Sequence, residues 1–152
     1  MARLVLTDAV VEIGATAPLI DISEYVTSVT LNTPEDVVET TAMSAVGART
    51  RTSGLKDHSI TLELNNDFAS GALESVIQTI GIGNLANLTV KPTSASVSPT
   101  NPIYKADGSG TGAAKAGQVL VSEWTPLNGA VGELATVSVT WPVSGQIVRA
   151  TA

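Results

Sequence analysis

The chain contains no cysteine and only one histidine. Without thiols it can build neither a disulfide framework nor a thiolate metal site, so assembly in a reducing cytosol is the natural setting. With a single imidazole, triad chemistry has only one base to draw on. Charge is scarce too: Asp, Glu, Lys and Arg together make up 14% of residues, against about 25% in an average soluble domain. Two Trp, two Tyr and one Phe are too few for the exposed aromatic platform on which a carbohydrate-binding or adhesive module stacks its ligand. The eight basic residues are outnumbered by fourteen acidic ones, for a net charge of −6. That balance argues against tight binding to a phosphate backbone, which needs clustered Lys and Arg, and is compatible with a surface that nucleic acid passes without sticking.

Long apolar runs are also missing. Mean hydropathy is positive at +0.26, yet Asp, Glu, Ser or Thr interrupts every run well short of the roughly 20 residues a membrane helix needs. Apolar and small residues beyond the needs of one core point to burial between subunits, where interfaces lose their charges. Near the start, Arg3 followed by Leu4, Val5 and Leu6, with Ala15 and Ala17 downstream, imitates a secretory signal. Asp8 and Glu12 break its apolar region, and alternation from Arg3 to Ile13 predicts a first strand instead.

What is present reads as one mainly β domain over residues 1–152, long enough to bury about two thirds of its unfolded surface. The sharpest pattern is His58–Asn65, in which His58, Ile60, Leu62 and Leu64 alternate with Ser59, Thr61, Glu63 and Asn65, a strand with one buried face. Further strands are predicted over Tyr25–Leu31, Asp36–Ala42, Leu88–Pro92, Ile103–Ala106, Gln118–Trp124 and Leu134–Val143. One helix follows the sharpest strand: Asn66 and Asp67 can cap it, Phe68, Ala72, Leu73, Val76, Ile77 and Ile80 recur at helical spacing, and Gly81 supplies the C-cap. About eight strands with one flanking helix make a β-sandwich or barrel. Residues 43–54 and 93–117, rich in small and polar side chains, are predicted as long loops.

Motifs that would carry chemistry are weak. Asp57 points away from His58 on the opposite strand face, so the pair cannot form a relay, and His58 is expected as a partly buried, hydrogen-bonded structural residue. The segment GSGTGAAKAG at 108–117 lacks the Gly-Lys-Ser/Thr ending of a phosphate loop and reads as a flexible hairpin tip. GIGNLA at 81–86 has glycine spacing like that of a dinucleotide loop but follows a helix instead of a strand. Asn87-Leu88-Thr89 is a glycosylation sequon with meaning only in a secreted protein. Glu35, Asp36 and Glu39 lack the regular spacing of a calcium loop and suit a solvated or intersubunit face. No coupled acid, base, nucleophile, metal or cofactor set can be assembled, so the chain is expected to be non-enzymatic.

Residues 40–68, TTAMSAVGARTRTSGLKDHSITLELNNDF, carry a family resemblance. With DISEYVTSVTL at 21–31, SPTNPIY at 98–104 and VGELATVSVTWPVSG at 131–145, the chain resembles the major tail tube proteins of bacteriophages with long, non-contractile tails. The motifs are specific as an ordered set, and together they touch most of the chain. One departure lies after Met43, where relatives place a Gly-Asp turn and this chain has Ser44, Ala45, Val46 and Gly47. The resemblance implies the tail tube fold, rings of six subunits with four strands from each closing an inner barrel, and rings stacked into a tube. It implies assembly in the host cytoplasm, residence in the virion tail, and tape measure, tail terminator and distal tail proteins as partners, with DNA passing through a neutral to acidic lumen. The inner tube of a contractile tail or secretion machine shares this fold, and a monomeric β-sandwich binding module is the alternative from another class. Within the tube reading, Met43–Gly54 is expected to be mobile until it docks on the next ring. Arg49 and Arg51 are then expected to meet Glu35, Asp36 and Glu39 of a neighbouring subunit, with Phe68, Trp124 and Trp141 as large packing anchors.

Overall fold

Antiparallel pairing of short, β-branched strands accounts for nearly all the regular structure. The computed structural model describes residues 3–43 and 47–152. Its strands are β1 (Val10–Gly14), β2 (Ile20–Asp21), β3 (Val26–Asn32), β4 (Glu35–Glu39), β5 (Arg51–Lys56) and β6 (Ser59–Asn65). The helix α1 (Leu73–Ile80) comes next, before β7 (Leu85–Lys91), β8 (Ile103–Ala106), β9 (Gln118–Leu120), β10 (Thr136–Ser144) and β11 (Val148–Ala150). One layer of the sandwich runs β2-β1-β7-β8-β11 and the other β3-β6-β10-β9, every neighbouring pair antiparallel. β7 belongs to both layers. Its residues 87–91 pair with β1, and Leu88–Val90 also with β8, whereas Leu85 and Ala86 pair with β9.

Period-two patterning decides which face is inside. On β6 Ile60, Leu62 and Leu64 are buried, and they stand opposite Trp141, Val139 and Val137 of β10. Val11, Ile13, Leu88 and Val90 belong to the same core from the other layer. Leu73, Val76, Ile77 and Ile80 of α1 join it at helical spacing. Trp141, fully buried, donates its indole N–H to the Glu123 carbonyl at 2.8 Å. Trp124 donates to the Glu74 carboxylate of α1 at 2.6 Å, which bolts the helix to the segment after β9. Both tryptophans lie inside this subunit's own core.

Several expectations need correction. The helix begins at Leu73 instead of near Phe68, because Gly71 at φ +78° turns the chain first and Ala72 stands at the N-cap without a side-chain cap. Phe68 is therefore outside the helix and 58% exposed. Gly81 does close the helix, at φ +86°, with its N–H on the Ile77 carbonyl. The first strand is shorter than predicted, since residues 3–9 find no ladder partner. Within 43–54, Arg51–Gly54 belong to β5, and Ser44, Ala45 and Val46 lie outside the described residues. Residues 93–117 contain β8, and their first part is stitched by buried Asn101, which accepts from the Thr93 N–H and donates to the Ala95 carbonyl. The 108–117 segment is a hairpin tip joining β8 to β9, closed by Gly108 N–H on the Gly117 carbonyl.

Candidate assembly surfaces

Three exposed features share the layer β3-β6-β10. The first is its outward face. Register brings side chains into rows across the three strands: Thr30, Thr61 and Thr140; Ser28, Glu63 and Ser138; Asn32, Ser59 and Pro142. The Thr61 and Thr140 hydroxyls are 3.1 Å apart. β3, β6 and β10 carry no Lys or Arg, and Glu63 is their one titratable side chain. Alternation makes this face the necessary complement of the buried one: strands that send Val, Leu, Ile and Trp inward must send the intervening residues the other way, and here most of those are Ser or Thr.

The second feature is an arm. β4 and β5 pair only with each other, and all their residues are exposed. The ladder sets Glu35 opposite Lys56, Val37 opposite Ser53, Val38 opposite Thr52 and Glu39 opposite Arg51, with a bulge between Glu35 and Val37. It continues past β4 through Thr40 N–H to the Thr50 carbonyl at 2.9 Å and Thr50 N–H to the Thr41 hydroxyl at 3.0 Å. All five residues expected at ring contacts lie on this arm. Arg51 and Glu39 oppose each other within one chain, Arg49 lies just beyond that pair, and Asp36 sits at the bulge. Val37, Val38 and Leu55 expose apolar side chains along the arm. Gly54 is required by close approach, because a Cβ there would lie 2.9 Å from the Asp36 Cβ and 3.2 Å from a Val38 methyl. Sequence reasoning missed β5 as a strand because RTSGLK has no buried face and hence no alternation to read.

The third feature caps the opposite end of β6. The Asn66 N–H binds the Ala135 carbonyl and its side-chain amide binds the Pro126 carbonyl at 2.7 Å, which ties the 126–135 loop to the Asn65 end of the strand. Leu127, Val131 and Leu134 of this loop and nearby Phe68 are exposed. The arm joins β6 at its Ser59 end. One seven-residue strand, roughly 23 Å long, thus separates two exposed surfaces that both carry apolar side chains.

Elsewhere the geometry offers little for catalysis. A groove of about 330 Å³ between α1 and the β1–β2 turn is lined by residues such as Thr16, Ile20, Ser75 and Thr79, none titratable. Residues 81–86 run from the end of α1 into β7, so no helix N-terminus faces that loop. The Asp8 carboxylate accepts the Ser94 hydroxyl at 2.8 Å and the Ser94 backbone N–H, which hold its pKa below the usual range. His58 is more deeply buried than the partial burial expected, and neither ring nitrogen has a hydrogen-bond partner, which corrects the expected hydrogen bonding. Its alternating neighbours on the inward face are aliphatic or aromatic, so nothing there can pair with it.

No family model matches the sequence, and no curated protein matches it. Among solved structures, the chain is similar to one chain in a structure described as the virion of a native gene transfer agent particle. The TM-score is 0.64 at 13% identity, and the alignment covers 91% of this chain and 94% of that one. At that identity the likeness is one of fold.

Proposed function

We propose that this chain is a non-enzymatic structural subunit of a virion, specifically the tube protein of a long, non-contractile tail. The observation that carries the reading is the outward face of β3-β6-β10, a carpet of hydroxyls with Glu63 as its one charge. Closed into a barrel by neighbouring copies, such a face makes a lumen with no cationic ring to hold phosphates, along which DNA slides without lasting contacts. Closure into rings, six subunits in the reading carried by the sequence resemblance, also removes the free edge of β3, which is otherwise a template for aggregation.

Stacking follows from the other two features. A two-stranded hairpin is marginal on its own in water, and an arm that exposes Val37, Val38 and Leu55 gains from a partner surface. The apolar 126–135 loop at the far end of β6 is such a surface on the next ring. A contact between different patches on identical subunits repeats indefinitely, which is the geometry of a filament. Arg49, Arg51 and the acidic residues of β4 add a charged component, repeated once per subunit. The fold likeness to a chain of a virion supports the coarser part of the reading, a structural subunit of a virion. Tape measure, terminator and distal tail proteins are the partners it brings.

Negative-stain microscopy of the concentrated protein tests it. Tubes of uniform width are the expected result; a monomer at every concentration and salt level overturns the reading.

A further inference from the structure

His58 stands where the arm meets the sandwich, between the last residue of β5 and the first of β6. Two backbone hydrogen bonds hold this root. The Asp57 N–H binds the Pro34 carbonyl and the Val143 N–H binds the His58 carbonyl, each at 2.9 Å. The second extends the β6–β10 ladder by one residue, and it turns the His58 side chain to the same inward face as Ile60, Leu62 and Leu64. The ring is 6% exposed, and both nitrogens are without partners. A neutral imidazole tolerates that with one donor and one acceptor unsatisfied, whereas the protonated ring would bury two N–H donors and a charge.

We propose that His58 is an acid-sensitive latch: in mild acid its protonation opens the last rung of the β6–β10 ladder and the Pro34–Asp57 bond, and so frees the root of the arm from the sandwich. The charged groups acting on the ring are Lys56 and Asp57, both from its own junction. β3, β9 and the flanking β10 carry no titratable side chain, and the inward residues of the other layer are Val11, Ile13, Ala86, Leu88, Val90 and Ala106. Among the described residues, no carboxylate is positioned to neutralise the proton from across the core. The least disruptive way to hydrate the ring is to fray the strand end on which it sits, since His58 is the terminal inward residue of its strand. Burial first, then Lys56, holds its pKa below the ordinary histidine value, with Asp57 opposing. A group with a depressed folded pKa contributes stability that is intact above its unfolded value of about 6.5 and is lost as pH falls through the folded value. The latch belongs to the subunit itself and holds whether or not the protein forms tubes.

Hydrogen exchange of the full chain between pH 7.5 and 5.0, expressed as protection factors corrected for intrinsic exchange, tests the proposal. Peptides covering residues 33–36, 56–60 and 142–144 are expected to lose up to about ten-fold protection per pH unit below 6.5, while those in α1 and β7 hold theirs. His58→Phe, and His58→Gln where Phe does not fold, should abolish the dependence. Constant protection of the root in the parent protein overturns the latch, as does the same dependence in either variant or a loss that spreads equally to α1 and β7. Because the histidine is the only one in the chain, its ring proton resonance reports directly. A midpoint at or above 6.5 would sink the idea independently of any variant.

Discussion

The arm and the layer it springs from are built from the same antiparallel ladder, yet they differ in what holds them. β6 and β10 share a register of seven residue pairs in which every second side chain is buried. β4 and β5 share four registered pairs, all exposed. Backbone hydrogen bonds alone give each residue little net stability, because the unfolded chain bonds equally well to water. The sandwich is therefore held by burial, and the arm by pairing, cross-strand contacts and whatever it docks against.

That contrast can be broken from either side. The largest effect on unfolding free energy should come from Trp141→Ala, which removes a fully buried ring and its hydrogen bond. A loss of roughly 3–5 kcal/mol is expected in denaturant titrations, a large share of the stability of a domain this size. Glu74→Gln keeps an acceptor for the Trp124 indole but removes the charge, and should cost about 1 kcal/mol by the same measurement. Arg49→Glu with Arg51→Glu should change unfolding by no more than roughly 0.5 kcal/mol while suppressing tube growth, read by light scattering at moderate salt. Adding Glu35→Lys, Asp36→Lys and Glu39→Lys should partly restore growth. Polymerisation of the double arginine variant at the parental rate would remove these charges from the stacking contact. Glu63→Lys should leave stability nearly unchanged, since the residue is exposed. It should also slow DNA release from filled particles, with the delay vanishing as salt rises; release at the parental rate at every salt would remove that face from the lumen.

The same contrast explains what could be read before the structure was known. β8 is found at its predicted bounds, and β6 and β10 nearly so, because each side chain's direction is written in the alternation of Ile60, Leu62 and Leu64 or Val137, Val139 and Trp141. β5 and the short β2 and β11 left no such trace: their pairing is set by neighbours distant in sequence or by solvent on both sides. Leu4, Val5 and Leu6 misled in the opposite direction, apolar enough for a strand but without a ladder partner among the described residues. Phe68 misled because helical spacing continues upstream of Gly71, while the positive φ there ends the helix before it reaches the ring. Arg49 and Arg51 were picked out by the scarcity of basic residues, and Glu35, Asp36 and Glu39 by their clustering. That Glu39 and Arg51 face each other was not legible without the β5 register.

β7 carries a mechanical consequence. A strand that pairs with β1 and β8 along its second half and with β9 along its first makes the two layers one continuous hydrogen-bonded fabric. Layers joined in this way cannot slide over each other without tearing rungs, so a lateral load on one is transmitted to the other as shear across β7. The subunit then behaves as a rigid voussoir. Between that block and the β4–β5 arm the covalent connections are two short segments, Thr33-Pro34 and Asp57-His58, so relative motion of arm and sandwich is concentrated there.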